Sequence, residues 1–288
     1  MADKHLVYAD GHLHSNPVKG LGMKSIAKRF IDSGGWFMVL VSLPPHHYNL
    51  NNDFNGYIKS IEILINECRA ARGYGIKTVC LAGIHPADVE DMVNRNVKNV
   101  KDVIELAIKI LNHVSQLIKD GLVDGFGEVG RPHYKALPEA FTVNSILMRY
   151  TLMLAKDLNT YIHLHLEQGG YATVRDIYEL LRILNIDRRR VILHHLDIWT
   201  AIEAENHGLY YTIPGKYPIL KEAFKRLKPF YIVESDFIDD PKRPGVSSYP
   251  WEIIENQKKL VEENIVDVEY ISRINIDNVA KIYGVEPP

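Results

Sequence analysis

The chain has 288 residues, 46% of them hydrophobic, enough to bury a large core. Its 34 basic and 36 acidic residues leave a net charge of −2 with no basic tail or arm, which excludes a protein that holds nucleic acid by bulk charge; any such substrate has to be gripped locally. Two cysteines, Cys68 and Cys80, are too few for a disulfide framework or a Cys-rich zinc site and read as small apolar fillers.

Strand-like and helix-like stretches alternate from end to end. An apolar run at 6–9 leads into Asp10-Gly11-His12-Leu13-His14, and 23–31 then reads as a short helix closed by Gly34-Gly35. Residues 36–41 form a buried strand broken by Pro44-Pro45, and 57–72 has helical spacing that ends at Gly73 and Gly75. A third strand at 78–84 runs into His85-Pro86, and a long amphipathic helix covers 100–118. The fourth strand, 123–128, is followed by a helix at 139–158, a fifth strand at 160–165 and a helix at 174–184. A sixth strand at 191–194, a short helix at 201–205, a seventh strand at 209–213 and a helix at 219–227 come next. The eighth strand, 230–235, precedes two C-terminal helices at 251–263 and 271–283. Eight β-then-α units without a linker predict one α/β domain over 1–288, a (β/α)8 TIM-type barrel with an additional C-terminal helix. No Gly-x-Gly-x-x-Gly follows the first strand and no P-loop is present, which argues against a dinucleotide or NTP fold. The N-terminus lacks a signal-peptide layout and the run at 36–41 is too short to span a bilayer, so the expected compartment is the cytoplasm, with no membrane partner.

The histidines carry the functional signal. Of thirteen, ten fall at strand ends or just after them: His12, His14, His46, His47, His85, His133, His163, His165, His194 and His195. Only His5, His113 and His207 lie elsewhere. Imidazoles at one end of many strands point to a metal centre on a barrel rim. His12 and His14 share a strand face and both point into the mouth. Asp10, on the same face, is expected to accept an imidazole N–H rather than ligate. Glu128 closes the fourth strand with Gly127 and Gly130 beside it, which lets other groups approach; a helix cap is its bland reading. His163 and His165 share a face, so alternation leaves the ligand open, and His165 lies nearer the mouth. His194 and His195 are adjacent and point to opposite sides while the strand continues. Asp236 stands at the mouth beside strand one, with Glu234 deeper as a hydrogen-bonding support.

In register along the chain, Asp10-Gly-His12-Leu-His14, Gly83-Ile-His85-Pro86, Gly127-Glu128-Val-Gly130, Ile162-His163-Leu-His165, Val191-Ile-Leu-His194 and Glu234-Ser-Asp236 resemble the TatD family of metal-dependent hydrolases, part of the amidohydrolase-like barrels. The resemblance implies a distorted barrel with a two-metal site that hydrolyses phosphodiester bonds in DNA, often as an exonuclease. It implies that His12, His14 and Asp236 hold one ion, and that Glu128 bridges to a second held by His165 and His194, with His195 as the alternate for His194. The chain departs from the family where Leu166-Glu167 replace the usual Arg and where His195-Leu196 replace Cys-Phe or Ser-Phe. Arg131-Pro132-His133 resembles a divergent, archaeal branch.

Imidazole and carboxylate donors suit one or two divalent ions, zinc first, with manganese or magnesium as options. Asp236 and Glu128 are the candidate catalytic groups, Asp236 as general base toward a metal-activated water. A phosphoester substrate needs cationic partners, for which Arg131, Lys216, Lys242 and Arg243 are placed after strands four, seven and eight. His85 and His133 face substrate or cap loops, and Tyr48, Tyr134 and Trp251 are candidates for base stacking. A small-molecule hydrolase of lactones, amides or phosphotriesters on the same barrel is the alternative; many of those bridge their metals with a carboxylated Lys, where this chain has Glu128. A non-catalytic binding protein is disfavoured because Glu128 and Asp236 are both present.

Overall fold

The computed structural model describes residues 6–94, 99–242 and 248–288; His5 and Arg243 lie outside them. The chain opens with β1 (Tyr8–His14), α1 (Gly22–Asp32), β2 (Gly35–Val41), α2 (Phe54–Gly73), β3 (Lys77–Ala82), α3 (Pro86–Asn94), α4 (Val100–Lys119) and β4 (Gly125–Gly130). It continues with α5 (Pro138–Leu158), β5 (Tyr161–His165), α6 (Tyr171–Leu184), β6 (Val191–His194), α7 (Ile198–His207), β7 (Tyr210–Pro214) and α8 (Tyr217–Arg226). It ends with β8 (Ile232–Glu234), β9 (Phe237–Ile238), α9 (Pro250–Glu262), α10 (Val268–Ser272), a π-helical stretch (Arg273–Asp277) and α11 (Asn278–Tyr283).

Local chemistry sets these boundaries. Met23, Ile26, Ala27 and Phe30 form one buried stripe of α1, which faces α2 and β2. Asp53, Asn99 and Asp197 cap α2, α4 and α7 by accepting the backbone N–H of Gly56, Asp102 and Thr200. Asn159, Asn185 and Gly208 end α5, α6 and α7 in the left-handed conformation. The helix α3 was not expected, because Pro86 directly after a strand reads as a break; here it is the first helical residue, where a missing N–H costs nothing.

The strands are all parallel, in the order β8-β7-β6-β5-β4-β3-β2-β1-β9. The segment from Ile232 to Ile238 closes the ring, its first half pairing with β7 and its second with β1. The single eighth strand expected at 230–235 is therefore shorter and broken. Asp236 takes φ 49°, leaves the strand conformation and donates its N–H to the His12 carbonyl at 2.9 Å. This α/β barrel is distorted at that seam, as expected.

Inward and outward residues form separate cores. Tyr8, Met38, Leu40 and Cys80 pack with the helices, whereas Ala9, Phe37, Val39, Val79, Leu81 and Ile232 form an inner cluster. Val279, Ile282 and Tyr283 of α11 join that cluster and form its floor. Asn275 holds the floor in place: its Oδ1 accepts the Ala9 N–H at 2.9 Å and its carbonyl accepts the Trp36 indole N–H at 3.0 Å. The two cysteines are buried as expected but not separate, since α2 lies against β3 and Cys68 and Cys80 form a disulfide. Among the described residues, no helix is long and apolar enough to cross a membrane.

Candidate metal centre

Strand register brings the mouth residues to one level. His165 pairs with Gly130 on one side and His194 on the other, and His14 pairs with Ile238. The ladder is irregular between Asp10 and Leu13 and between Phe126 and Val129, which are the stretches carrying His12 and Glu128. Such irregularities re-aim side chains beside functional sites. Gly130 is required here for a second reason: at φ 149° a side chain on it would collide with the His165 carbonyl.

Glu128 is the centre of the site, 4% exposed. Its Oε1 lies 3.3 Å from His12 Nε2 and 3.2 Å from His14 Nε2. Its Oε2 lies 2.8 Å from His165 Nδ1 and 3.6 Å from both His85 Nε2 and His194 Nε2. Burial alone would raise the Glu128 carboxyl, but its electrostatic interactions with the facing rings of His85, His12 and His194, and its hydrogen bond with His12, outweigh it and hold it well below the usual range. Asp236 behaves alike: burial raises it, and the bond and charge of His195 outweigh that and lower it. Burial pushes His12 and His194 down, and His85 down to about 3, so these rings stay neutral.

The far nitrogens decide what the near ones offer. His14 Nδ1 donates to the Val41 carbonyl at 3.0 Å, which leaves Nε2 facing Glu128; burial lowers this ring, but the bond and charge of Glu128 outweigh that and push it up, and Nε2 is bare in the neutral ring. His194 Nδ1 bonds Glu234 Oε2 at 2.8 Å, so its Nε2 faces Glu128 and, at 3.9 Å, Asp236 Oδ1, and is bare when Glu234 accepts that bond. His85 is the reverse: its Nδ1 accepts the Ala87 N–H at 3.0 Å, so Nε2 carries a proton and faces Glu128 as a donor. A lone pair facing a carboxylate oxygen at 3.2 or 3.6 Å is repulsive unless a proton or a cation stands between them. His165 Nε2 and Glu234 Oε1 are buried without hydrogen-bond partners. A divalent cation satisfies this donor set, and imidazole with carboxylate is its ordinary coordination. Candidate donor atoms lie within 4.8 Å of one another in four groups: His12-His14-Glu128, His85-Glu128-His165, His194-His195-Asp236 and His12-His194-Glu234.

Not every expected residue arrives as expected. His195 does not point away: at φ 67° the strand has ended, and its Nδ1 bonds Asp236 Oδ2 at 3.0 Å, so both adjacent imidazoles face the mouth. Asp10 accepts the backbone N–H of Ser235 at 2.8 Å and of His12 at 3.2 Å rather than an imidazole, and fixes the seam instead of a ring. His163 lies beneath the site, with Nδ1 3.3 Å from His12 Nδ1 and Nε2 2.7 Å from the Tyr283 hydroxyl.

Arg131 is a correction. Its guanidinium is buried and turned from the mouth, bonded to Glu167 at 2.8 Å and Asp176 at 2.5 Å, because two carboxylates claim its donors. Lys216 opens α8 near enough to His195 for its charge to act on that ring, and Lys242 sits on a turn where its backbone N–H reaches Asp240. Of the aromatic candidates only Tyr134 lines the cavity. Tyr48 is buried with its hydroxyl on the Ser15 carbonyl, and Trp251 is buried between Tyr249 and Arg29. The cavity encloses about 370 Å³, is lined by His46, His47, Asp88 and His133 besides the central groups, and among the described residues has no Lys or Arg in its wall. His133 stacks over His165 at 4.6 Å and His195 at 5.4 Å. Asp88 and Tyr283 were not singled out from sequence; the Pro-Ala-Asp run after strand three was the only local hint, and it pointed to Asp88 alone.

Residues 9–284 match the family described as TatD related DNase. An uncharacterized protein of Methanocaldococcus jannaschii is 26% identical over 284 residues, 98% of each chain. Among solved structures, a TatD-like protein of Archaeoglobus fulgidus superposes with a TM-score of 0.62 at 18% identity, covering 96% of this chain and 100% of that one. A TatD homolog of Escherichia coli K12 gives 0.68 at 14% identity, covering 96% and 98%. A mutant phosphotriesterase-like lactonase of Deinococcus radiodurans gives 0.64 at 12% identity, covering 97% and 96%. At these identities the superpositions speak for the fold.

Proposed function

Because the chain belongs to the TatD-related DNase family, we propose that it is a metal-dependent hydrolase that cleaves phosphodiester bonds at DNA ends. The observation that carries this reading is the set of imidazole Nε2 atoms of His12, His14 and His194 converging on the doubly faced carboxylate of Glu128 at 3.3, 3.2 and 3.6 Å. A divalent ion in this cradle supplies a Lewis acid for the phosphoryl oxygen and water made acidic enough to attack near neutral pH.

The residues divide the rest. By the family resemblance His12, His14 and Asp236 would hold one ion and His165 and His194 a second, with Glu128 serving both; in this structure the Asp236 donor lies with those of His194 and His195. Asp236 is the general base: His195 Nδ1 occupies its Oδ2 at 3.0 Å, which leaves Oδ1 to take the proton of the attacking water. His85, neutral with its proton on Nε2, donates to an oxygen of the substrate beside Glu128. Lys216, beside His195, is retained as the phosphate contact. The absence of Lys and Arg from the described cavity wall leaves neutralisation of the scissile group to the ions and imidazoles, which favours a terminal phosphodiester over a grip along the strand.

The test is release of mononucleotides from end-labelled single-stranded DNA by zinc- or manganese-loaded protein. Chelation should abolish release and added divalent ion should restore it, while the circular dichroism spectrum stays unchanged because barrel packing does not depend on the ions. Turnover of lactones or triesters without nucleotide release would replace the DNA reading with the small-molecule one.

A further inference from the structure

Three of the assigned ligands, His12, His14 and His194, turn Nε2 toward Glu128, and each has its other nitrogen held from behind. For His14 the holder is the Val41 carbonyl, and for His194 the Glu234 carboxyl group. For His12 the holder is another imidazole, His163, with Nδ1 to Nδ1 at 3.3 Å. The Val41 carbonyl can only accept, whereas a carboxyl such as Glu234 accepts when ionised and can donate when protonated. His163 can accept or donate, so it does not by itself decide which His12 nitrogen carries the proton. The decision passes one step further, to the Tyr283 hydroxyl, 2.7 Å from His163 Nε2. His12 and His163 are wholly buried and Tyr283 is 6% exposed, so bulk water is a poor substitute for any of these partners.

Two arrangements of this chain are internally consistent, and they carry the same number of protons. In one, Tyr283 donates to His163 Nε2, His163 Nδ1–H donates to His12 Nδ1, and His12 Nε2–H points at Glu128, 3.3 Å away, where it blocks a ligand position. In the other, each bond is reversed: His12 Nδ1–H donates to His163, His163 Nε2–H donates to the Tyr283 oxygen, the Tyr283 O–H turns from His163 toward water at the 6% exposed edge of that residue, and His12 Nε2 is bare. We propose that His163 and Tyr283 are positioning residues that set the His12 tautomer, so that metal loading at the mouth reverses a hydrogen-bond chain running down to the C-terminal helix on the barrel floor. Reversal moves one proton off the cradle and returns one at the floor end, with no net change along the chain. The inference rests on His12 being a metal ligand and does not depend on which ester is hydrolysed.

Tyr283→Phe tests it. Phenylalanine keeps the ring that packs against Phe37 at 5.2 Å but can neither donate nor accept. A buried imidazole N–H without a partner is worse than a bare nitrogen, so His163 in this variant keeps its proton on Nδ1 and holds His12 in the blocked form. Zinc affinity, read by competition titration, should fall 10- to 100-fold, the range for loss of a partner behind a metal-bound histidine. Nitrogen-15 histidine spectra should show His12 and His163 exchanging tautomers when zinc is added to the unaltered protein. The packing control is Ile282→Ala, which lowers stability at the same floor and should leave zinc affinity within about twofold. Zinc affinity changed by less than threefold in Tyr283→Phe, or His12 tautomers that do not respond to zinc, would overturn the proposal while leaving the metal site intact. An unaltered protein that binds no zinc would remove the metal reading itself, a result separable from the other two.

Discussion

At the floor of the barrel, Val279, Ile282 and Tyr283 meet Phe37 and Val79 in an apolar layer, and its polar bonds are few: those of Asn275 to Ala9 and Trp36, and that of the Tyr283 hydroxyl to His163. At the mouth, the carboxyls of Glu128 and Glu234 are buried among imidazoles, Asp236 stands part-exposed beside them, and Asp10 is buried behind them on backbone N–H groups. The floor gains stability from area removed from water. The mouth loses stability, because buried like charges are costly without a counter-charge. The acids there settle into two classes. Glu128 and Asp236, in contact with imidazoles, are held below the usual carboxyl range. Burial pushes Asp10 up to about 7 and Glu234 well above its usual value, with Asp236 adding to the rise in both. His195 and Asp236 also adopt the left-handed conformation that side-chain-bearing residues avoid. One end of the fold thus supports the arrangement that the other end needs for chemistry.

Exchanging properties between the two ends would break this comparison. The largest effect is expected at the mouth. Asp236→Asn removes the proton acceptor and should lower kcat about 10²- to 10⁴-fold with an unchanged unfolding midpoint. Steady-state rates within a factor of a few of the unaltered protein would remove its assigned role. At the floor the pattern should invert: Ile282→Ala should cost roughly 2–5 kcal/mol of stability in denaturant titration, with kcat preserved in the folded fraction. A large kcat loss there would show that the floor shapes the site directly.

The smallest effect concerns Asp88, a mouth acid away from the imidazole cluster. Its carboxyl is 4% exposed, accepts the Tyr57 hydroxyl at 2.7 Å, and is pushed by burial up to about 7 from an ordinary 3.8. Between those values the folded chain holds a proton that the unfolded chain has lost. This group's contribution is therefore complete at acid pH and lost as pH rises toward 7, with a limiting slope of about 1.4 kcal/mol per pH unit. Asp88→Asn should flatten that slope in metal-free protein. Stability curves of equal slope in both proteins would show that Asp88 is charged in the fold.

Several of these features were legible in the sequence. His12, His14 and Glu128 could be placed because strand alternation is a local rule, and the run from Phe230 to Asp236 marked the closing strand. Arg131 could not, because the carboxylates that turn it inward, Glu167 and Asp176, lie 36 and 45 residues away. His194 and His195 were expected to face opposite sides because alternation assumes that the strand continues; it ends at His194, and both line the mouth. Tyr283 gave no signal, since its bond to His163 spans 120 residues.

By itself, the order of residues determined the alternation of strands and helices and which side chains stand at strand ends. These follow from hydrophobic period and chain stereochemistry, which act over a few residues. Only the tertiary structure decided which nitrogen of each imidazole is bare, which acids keep their charge and which cation faces inward. Protonation and charge depend on through-space partners and on exclusion of water, and both are set only when distant segments meet.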